Sequence, residues 1–364
     1  MKEVAIKDIC KKDSSALKQK ELLPEGKYPV FGASGIAGYL DRYHQKKEYI
    51  GIVKDGSGIG RVAFYPAESS LIGTMQYVLP KENYDIRYIG YCLQSLDLSK
   101  YKQGAAIPHI YFRDYGEQLV KVTDNWEEQH SIVSRLDSAF SHIDALKANA
   151  EKQLNEARKL FQAELTECMK PKEGWEEKKI GDVFQTYAGG TPLKSGKGYY
   201  EGGTIPWIRS GEVCQMYIRD CEMCITEEGM KNSSAKYYPV DTILVAMYGA
   251  TAAQVGILKF EATSNQAVCG ILPHKDFIPE YIYYWFTNIQ KDLAAQAQGG
   301  AQPNLSQVKI KKVSISYPSR TIQHSIVSHL DSLSSTIRKL EELQQKTIAE
   351  CDALKQAMLR EVFE

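Results

Sequence analysis

Apolar positions recur at alternating three- and four-residue steps along two long stretches of the chain. In the first they are Val133, Leu136, Phe140, Ile143, Ala150, Leu154, Ala157 and Phe161, with Lys147 intruding. In the second they are Leu330, Leu333, Ile337, Leu340, Thr347, Cys351, Leu354 and Met358, with Gln344 out of pattern. No Pro or Gly interrupts residues 125–169 or 323–364. The spacing therefore predicts two helices of about 40 residues, each roughly 60 Å long. So narrow a stripe needs a partner helix, because alone it would stay wet. The simplest partners are each other, and the segment between them lets the chain return and pair them antiparallel. Elsewhere the period shortens. β-Branched and aromatic runs at 48–53, 62–65 and 243–247, punctuated by Gly, Pro and Asn, predict strands of a mixed, twisted sheet with a few short helices.

The pattern occurs twice. Residues 129–138 (QHSIVSRLDS) return as residues 323–332 (QHSIVSHLDS), and only Arg135 and His329 differ. Upstream, residues 49–80 align without a gap to 242–273, with Gly56/Gly249, Val62/Val255 and Leu79-Pro80/Leu272-Pro273 in register. Arg87-Tyr88-Ile89-Gly90-Tyr91 matches Glu280-Tyr281-Ile282-Tyr283-Tyr284, one face of a short helix. Residues 103–110 match 298–305. Duplication on this scale predicts an α+β chain in four segments. These are a globular module at 1–124, a helix at 125–170, a second module at 171–321 and a second helix at 322–364. The second module carries an insertion running from Gly189-Gly190-Thr191-Pro192 to Trp207-Ile208-Arg209-Ser210-Gly211. A shared scaffold with unlike loops suits two modules that read different things.

Composition narrows the classes. The 364 residues are 43 % hydrophobic and 25 % charged with zero net charge, as for a folded protein without a gross basic excess. The charged opening is unlike a signal peptide and no apolar run approaches spanning length, so a cytoplasmic location without membrane contact is expected. The eight cysteines read as free thiols. Cys221 and Cys224, with Cys214 nearby, lack the further ligands of a zinc site, so no metal is expected. Gly56-Ser57-Gly58-Ile59-Gly60 is spaced GxGxG, and its counterpart at 249–253 loses two glycines, so a hairpin turn fits better than a cofactor loop. The chain has no Pro-Pro, no GxxxxGK[ST] and no HExxH. No catalytic residue is expected.

The chain resembles the DNA-specificity subunit of Type I restriction–modification systems over essentially its whole length. The resemblance rests on the duplicated 129–138 and 323–332 segments, on Pro303-Asn304-Leu305, and on the opening of the second module at 175–183 with GGTP and Ile205–Gly211. The first module departs from the pattern: Ala33-Ser34-Gly35-Ile36-Ala37-Gly38-Tyr39 stands where a GGTP-type loop would be. The resemblance implies two target-recognition domains on two conserved helices that form an antiparallel coiled coil. Each domain would read half of a split, asymmetric site on double-stranded DNA. Two methyltransferase subunits that modify adenine, and restriction subunits, would be the partners. S-adenosylmethionine, ATP and Mg would belong to those partners, with no cofactor in this chain.

Base reading needs donors and acceptors displayed on loops, while Lys and Arg on phosphates give register. The DNA-binding candidates are Ser34, Tyr39, Lys54, Arg61 and Gln76 in the first module. In the second they are Lys194, Arg209, Tyr248, Gln254, Asn265 and Gln266. Partner-binding candidates are the duplicated Gln129, His130, Leu136 and Asp137 with Gln323, His324, Leu330 and Asp331; helix-start packing would explain the same duplication. Residues 1–124 hold 18 basic and 15 acidic side chains, and 171–321 hold 16 and 15. Such small excesses predict weak DNA affinity for the chain by itself. Two rival readings are a self-sufficient methyltransferase, marked by methyl transfer without partners, and a protein scaffold, marked by the absence of any sequence-selective DNA effect.

Overall fold

The structure, a computed structural model, describes residues 1–104, 107–193, 196, 198–297 and 304–363. The first module contains strands β1 (Lys2–Ala5), β2 (Cys10–Ser14), β3 (Tyr28–Gly32), β4 (Gly35–Leu40), β5 (Tyr49–Val53), β6 (Val62–Tyr65), β7 (Ser70–Leu71), β8 (Met75–Pro80) and β9 (Leu119–Val122). Its helices are α1 (Ile6–Ile9), α2 (Ile86–Ser95) and α3 (Phe112–Tyr115), and α4 (Trp126–Met169) follows. The second contains β10 (Glu176–Lys179), β11 (Thr186–Ala188), β12 (Ile205–Ile208), β13 (Tyr217–Ile218), β14 (Cys224–Ile225), β15 (Ile243–Ala246), β16 (Val255–Leu258), β17 (Thr263–Ser264), β18 (Val268–Ile271) and β19 (Ser314–Tyr317). With them come α5 (Ile180–Val183), α6 (Glu227–Lys231), α7 (Pro279–Asn288), α8 (Gln290–Ala297) and α9 (Gln307–Lys311), and then α10 (Arg320–Phe363).

The chain forms two compact units, residues 1–153 with 343–364, and residues 154–342. Each therefore holds one module together with a piece of both long helices. The first unit has sheets ordered β2-β8-β5-β6, β4-β3-β7 and β1-β9. The second has β11-β18-β15-β16-β13, β14-β12-β17 and β10-β19. The topologies correspond strand for strand, including the parallel ladders β3·β7 and β12·β17, except that β13 extends the larger sheet of the second unit along β16. The Gly56–Gly60 run is the loop of the β5–β6 hairpin.

The buried faces follow the stripes. In the first unit Val133, Leu136, Phe140 and Ile143 of α4 join Cys351, Leu359 and Phe363 of α10 in one core with Ile50, Val78, Tyr88 and Tyr91. In the second, Leu165 and Met169 of α4 join Val327 and Leu330 of α10 around Tyr281, Tyr284 and Phe286. Burying one such Leu contributes about 1.5–3 kcal/mol.

The helix pieces run antiparallel in each unit. In the first, Asp144 meets Lys355 at 2.5 Å, Lys147 meets Asp352 at 2.7 Å and Gln153 meets Gln344 at 2.8 Å, so one number rises as the other falls. In the second, Arg158 reaches Glu341 at 2.7 Å and Glu164 reaches His329 at 2.8 Å. Lys147 and Gln344, the two intruders of the apolar pattern, are thus polar contacts across the seam. One stripe position is corrected: Leu354 is 51 % exposed. Lys355 takes the seam instead, laying its charge over the Phe140 ring at 5.1 Å while pairing with Asp144.

Candidate nucleic-acid interface

In the second unit, loops from four strand ends converge. β12 and β17 lie parallel, with Ile208 opposite Ser264, so Arg209 and Asn265 emerge side by side. The Asn265 N–H donates to the Ile208 carbonyl at 3.0 Å. The Gly189-Gly190-Thr191-Pro192 loop packs onto the same place: the Gly190 N–H donates to Ser264 O at 2.9 Å, and the Trp207 indole donates to Gly190 O at 2.9 Å. Both glycines are required by close approach. A Cβ on Gly189 would lie 2.2 Å from Asn265 O, and one on Gly190 would lie 2.1 Å from Ala235 N. Thr191 donates its hydroxyl to Gln266. The Asn265 side-chain oxygen accepts the Ala267 N–H at 3.1 Å, and the Ala267 carbonyl accepts from Met247 at 2.7 Å, setting Tyr248 beside this turn.

The fold thus gathers Arg209, Tyr248, Asn265 and Gln266, with Gln266 and Tyr248 exposed. Gln254, next to the Gly249–Thr251 turn, is half-buried and its side-chain oxygen has no hydrogen-bond partner among the described residues. Arg209 is not a free cation. Its guanidinium lies between Glu212, at 3.5 Å, and Glu222, which accepts from it. Lys194 lies outside the described residues, as do residues 298–303 of the repeated loop.

In the first unit Arg61 donates to Ala33 O at 2.6 Å, bringing the β5–β6 loop against the tip of the β3–β4 hairpin, where Ser34 is exposed. Lys54 is half-buried after β5, beside an Asp55–His109 pair at 2.7 Å. Tyr39 sits away from that tip, bridged to Leu23. Gln76 lies within β8, 6 % exposed, and its side-chain oxygen accepts the Tyr115 hydroxyl at 2.7 Å. It faces the core because every residue from Met75 to Val78 is buried between neighbouring strands and helices.

The duplicated helix starts form two junctions of the same design. Gln129 is fully buried; its amide donates to Asn83 O at 3.1 Å and Thr123 O at 3.0 Å, and its oxygen accepts the Asp85 N–H at 2.7 Å. Gln323, also fully buried, donates to Asp276 O at 3.0 Å and Pro318 O at 2.9 Å and accepts the Ile278 N–H at 3.0 Å. Asp85 and Ile278 are the N-caps of α2 and α7. Two turns further, Asp137 accepts from Tyr91 and Arg87, and Asp331 accepts from Tyr284 at 2.6 Å. Burial, then the adjacent carboxylate, pushes both phenols above their ordinary pKa, so each is a donor at neutral pH. Leu136 and Leu330 are buried below. Gln129, Gln323 and these leucines hold helix to module and present no surface. His130 and His324 are exposed, the former 3.9 Å from Asp85. The tyrosines Tyr91 and Tyr284 were the part that sequence reasoning missed, although they occupy matching places in the aligned 87–91 and 280–284 segments.

These features define a duplicated protein in which each module is locked to a long helix and carries its own loops. The sequence pattern of the family described as Type I restriction modification DNA specificity domain matches residues 1–156 and again 172–349. The chain belongs to that family, and the two matches are the two halves of the repeat. It is 27 % identical over 265 residues, 71 % of this chain, to the Type I restriction enzyme EcoR124I/EcoR124II specificity subunit of Escherichia coli. It is 33 % identical over 193 residues, 51 % of this chain, to the Type I restriction enzyme MjaIX specificity subunit of Methanocaldococcus jannaschii. The matched parts span 65 % and 44 % of those relatives. The fold is similar to a chain in a structure of a type I R-M system, with a TM-score of 0.75 over 98 % of this chain and 96 % of that one, at 15 % identity. The HsdS subunit from Thermoanaerobacter tengcongensis superposes with a TM-score of 0.53 over 98 % and 95 % of the two chains, at 16 % identity. Among the described residues no helix is long and apolar enough to cross a membrane.

Proposed function

We propose that the chain is the non-catalytic, sequence-reading subunit of a Type I restriction–modification complex. In this reading residues 1–124 and 171–321 each recognise one half of an asymmetric, interrupted site on double-stranded DNA. The helices at 125–170 and 322–364 fix the unread gap. The observation that carries it is the pair of family matches, each a module locked by a buried Gln to a helix, with unlike loops above identical locks.

Ser34, Arg61 and Lys54 would face DNA from the first module, and Tyr248, Gln254, Asn265, Gln266 and Lys194 from the second. Arg209 joins them once a phosphate displaces Glu222. Two methyltransferase subunits would dock on the helix starts, through exposed His130 and His324, and deliver the chain to adenines. S-adenosylmethionine, ATP and Mg would act on the methyltransferase and restriction partners. Weak module charge makes DNA binding depend on those partners; a tight, salt-sensitive complex of DNA with this chain alone would contradict that.

The test is to map methylated adenines genome-wide in cells with and without the chain. A bipartite motif of constant gap that vanishes with the chain is expected; an unchanged pattern would reject the reading. Inserting seven helical residues after Gln153 and seven before Leu343 lengthens the rod by about 10 Å, which at about 3.4 Å per base pair widens the gap by about three base pairs. A gap indifferent to that insertion removes the helices from the measurement of spacing.

A further inference from the structure

Within the second unit, the end of α4 and the start of α10 bring together a carboxylate, a thiol and an imidazole. Glu164 and Cys168 are one turn apart and share a face of α4. His329 of α10 reaches the same place. The Glu164 Oε1 to His329 Nε2 distance is 2.8 Å and the Cys168 Sγ to Glu164 Oε1 distance is 3.8 Å. All three donor atoms lie within 4.8 Å of one another. Ligand atoms on a tetrahedral zinc ion stand about 3.5 Å apart, so side-chain movements of about 1 Å would seat one.

The repeat shows that packing does not demand these residues. α4 and α10 are each 44 residues long, and their ends correspond: Leu165 and Met169 are buried in one unit, Leu359 and Phe363 in the other. In that correspondence Glu164 and Cys168 become Met358 and Val362, and His329 becomes Arg135. Arg135, Met358 and Val362 line one groove of the first unit. A methyl-rich face with an Arg therefore closes the same junction there. The single difference within the ten-residue duplicated segment is the one that supplies an imidazole opposite a carboxylate and a thiol.

We propose that Glu164, Cys168 and His329, a mixed O, S and N donor set, form an open three-ligand site for one zinc-class divalent cation that links α4 to α10 beside the second module. N, S and O donors suit a borderline-soft ion better than Mg or Ca, and three protein ligands leave a fourth position for water. On binding, the Cys168 thiol gives its proton to solvent, the proton that His329 Nε2 shares with Glu164 passes through solvent to Nδ1, and the thiolate, imidazole Nε2 and carboxylate each donate one electron pair to the metal.

The experiment uses the reduced full-length chain dialysed against buffered zinc, with bound metal counted and Co(II) as a spectroscopic probe. One zinc per chain is expected, with a thiolate-to-cobalt charge-transfer band. H329R copies Arg135 and keeps an ion pair with Glu164, so it should fold yet lose zinc. C168A should lose both zinc and the band. C221A/C224A should keep both. Zinc should raise the unfolding temperature of the parent and leave that of H329R unmoved. The proposal is overturned by a parent chain that retains no zinc, by undiminished zinc in C168A and H329R, or by loss of the metal in C221A/C224A.

Discussion

The junctions between module and helix and the loops above them have diverged to opposite extents. At the junctions, Gln129 and Gln323 each bind two carbonyls and the amide of a helix N-cap over distances of 2.7–3.1 Å, and a Tyr–Asp pair repeats two turns on. In the loops, the first module offers a short β3–β4 hairpin tied down by Arg61, and the second offers a long glycine-tight segment stacked on the Asn265 turn. Duplication has been kept where a buried polar group would be left without a partner. It has been released where side chains meet solvent, because there a substitution costs little stability.

The strongest way to break this contrast is to attack a junction. Leu330→Asp should put an unpaired carboxylate into the core of the second unit, destabilising it by about 4 kcal/mol or more. Leu136→Asp should do the same to the first. Urea or thermal unfolding and loss of DNA modification check both, and a folded, active Leu330→Asp would deny that the junction is structural. Next come Gln129→Leu and Gln323→Leu, which strand two carbonyls and one amide each and should cost about 2–4 kcal/mol. Their effects should match, since the two hydrogen-bond sets do. A large effect at one site and none at the other would show that the resemblance of the junctions is only geometric.

Much of this organisation was legible in the sequence. The three-four apolar spacing located both helices, and the antiparallel pairing followed from a stripe too narrow to stand alone. The β5, β6 and β15 runs were visible because they are long enough to carry a β-branched pattern. The β3·β7 and β12·β17 parallel ladders were not, since β7 and β17 are two residues long and have no period to read. Leu354 was misplaced because one polar residue, Lys355, could satisfy the seam with both an ion pair and an aromatic contact. The duplicated Gln was visible as a repeat, but its role was not. Burial of an amide depends on carbonyls at Asn83, Thr123, Asp276 and Pro318, which are distant in sequence or carry no side-chain signature. At the site, Tyr248, Asn265 and Gln266 come together on neighbouring loops, whereas the sequence offered them only as separate loop residues. Glu212 and Glu222, which restrain Arg209, had no signal beyond being acidic.

Independent loops would respond to substitution one module at a time. Gln266→Ala removes an exposed amide beside the Asn265 turn without touching a junction. It should relax discrimination by about 1–3 kcal/mol at one position of one half-site, leaving the other half-site and thermal stability unchanged. Sequencing of methylated sites reads this directly, and relaxation in both halves would mean that the modules do not read separately. The smallest effect belongs to the seam. Lys147 and Asp352 are exposed enough that solvent screens them, so Lys147→Ala should cost about 0.5 kcal/mol or less. Its value is as a control on the helices. If this variant shifts the gap between half-sites while barely moving the unfolding midpoint, the spacing is set by the register of the pair and not by its stability. If the gap stays fixed, the buried seam alone holds the register.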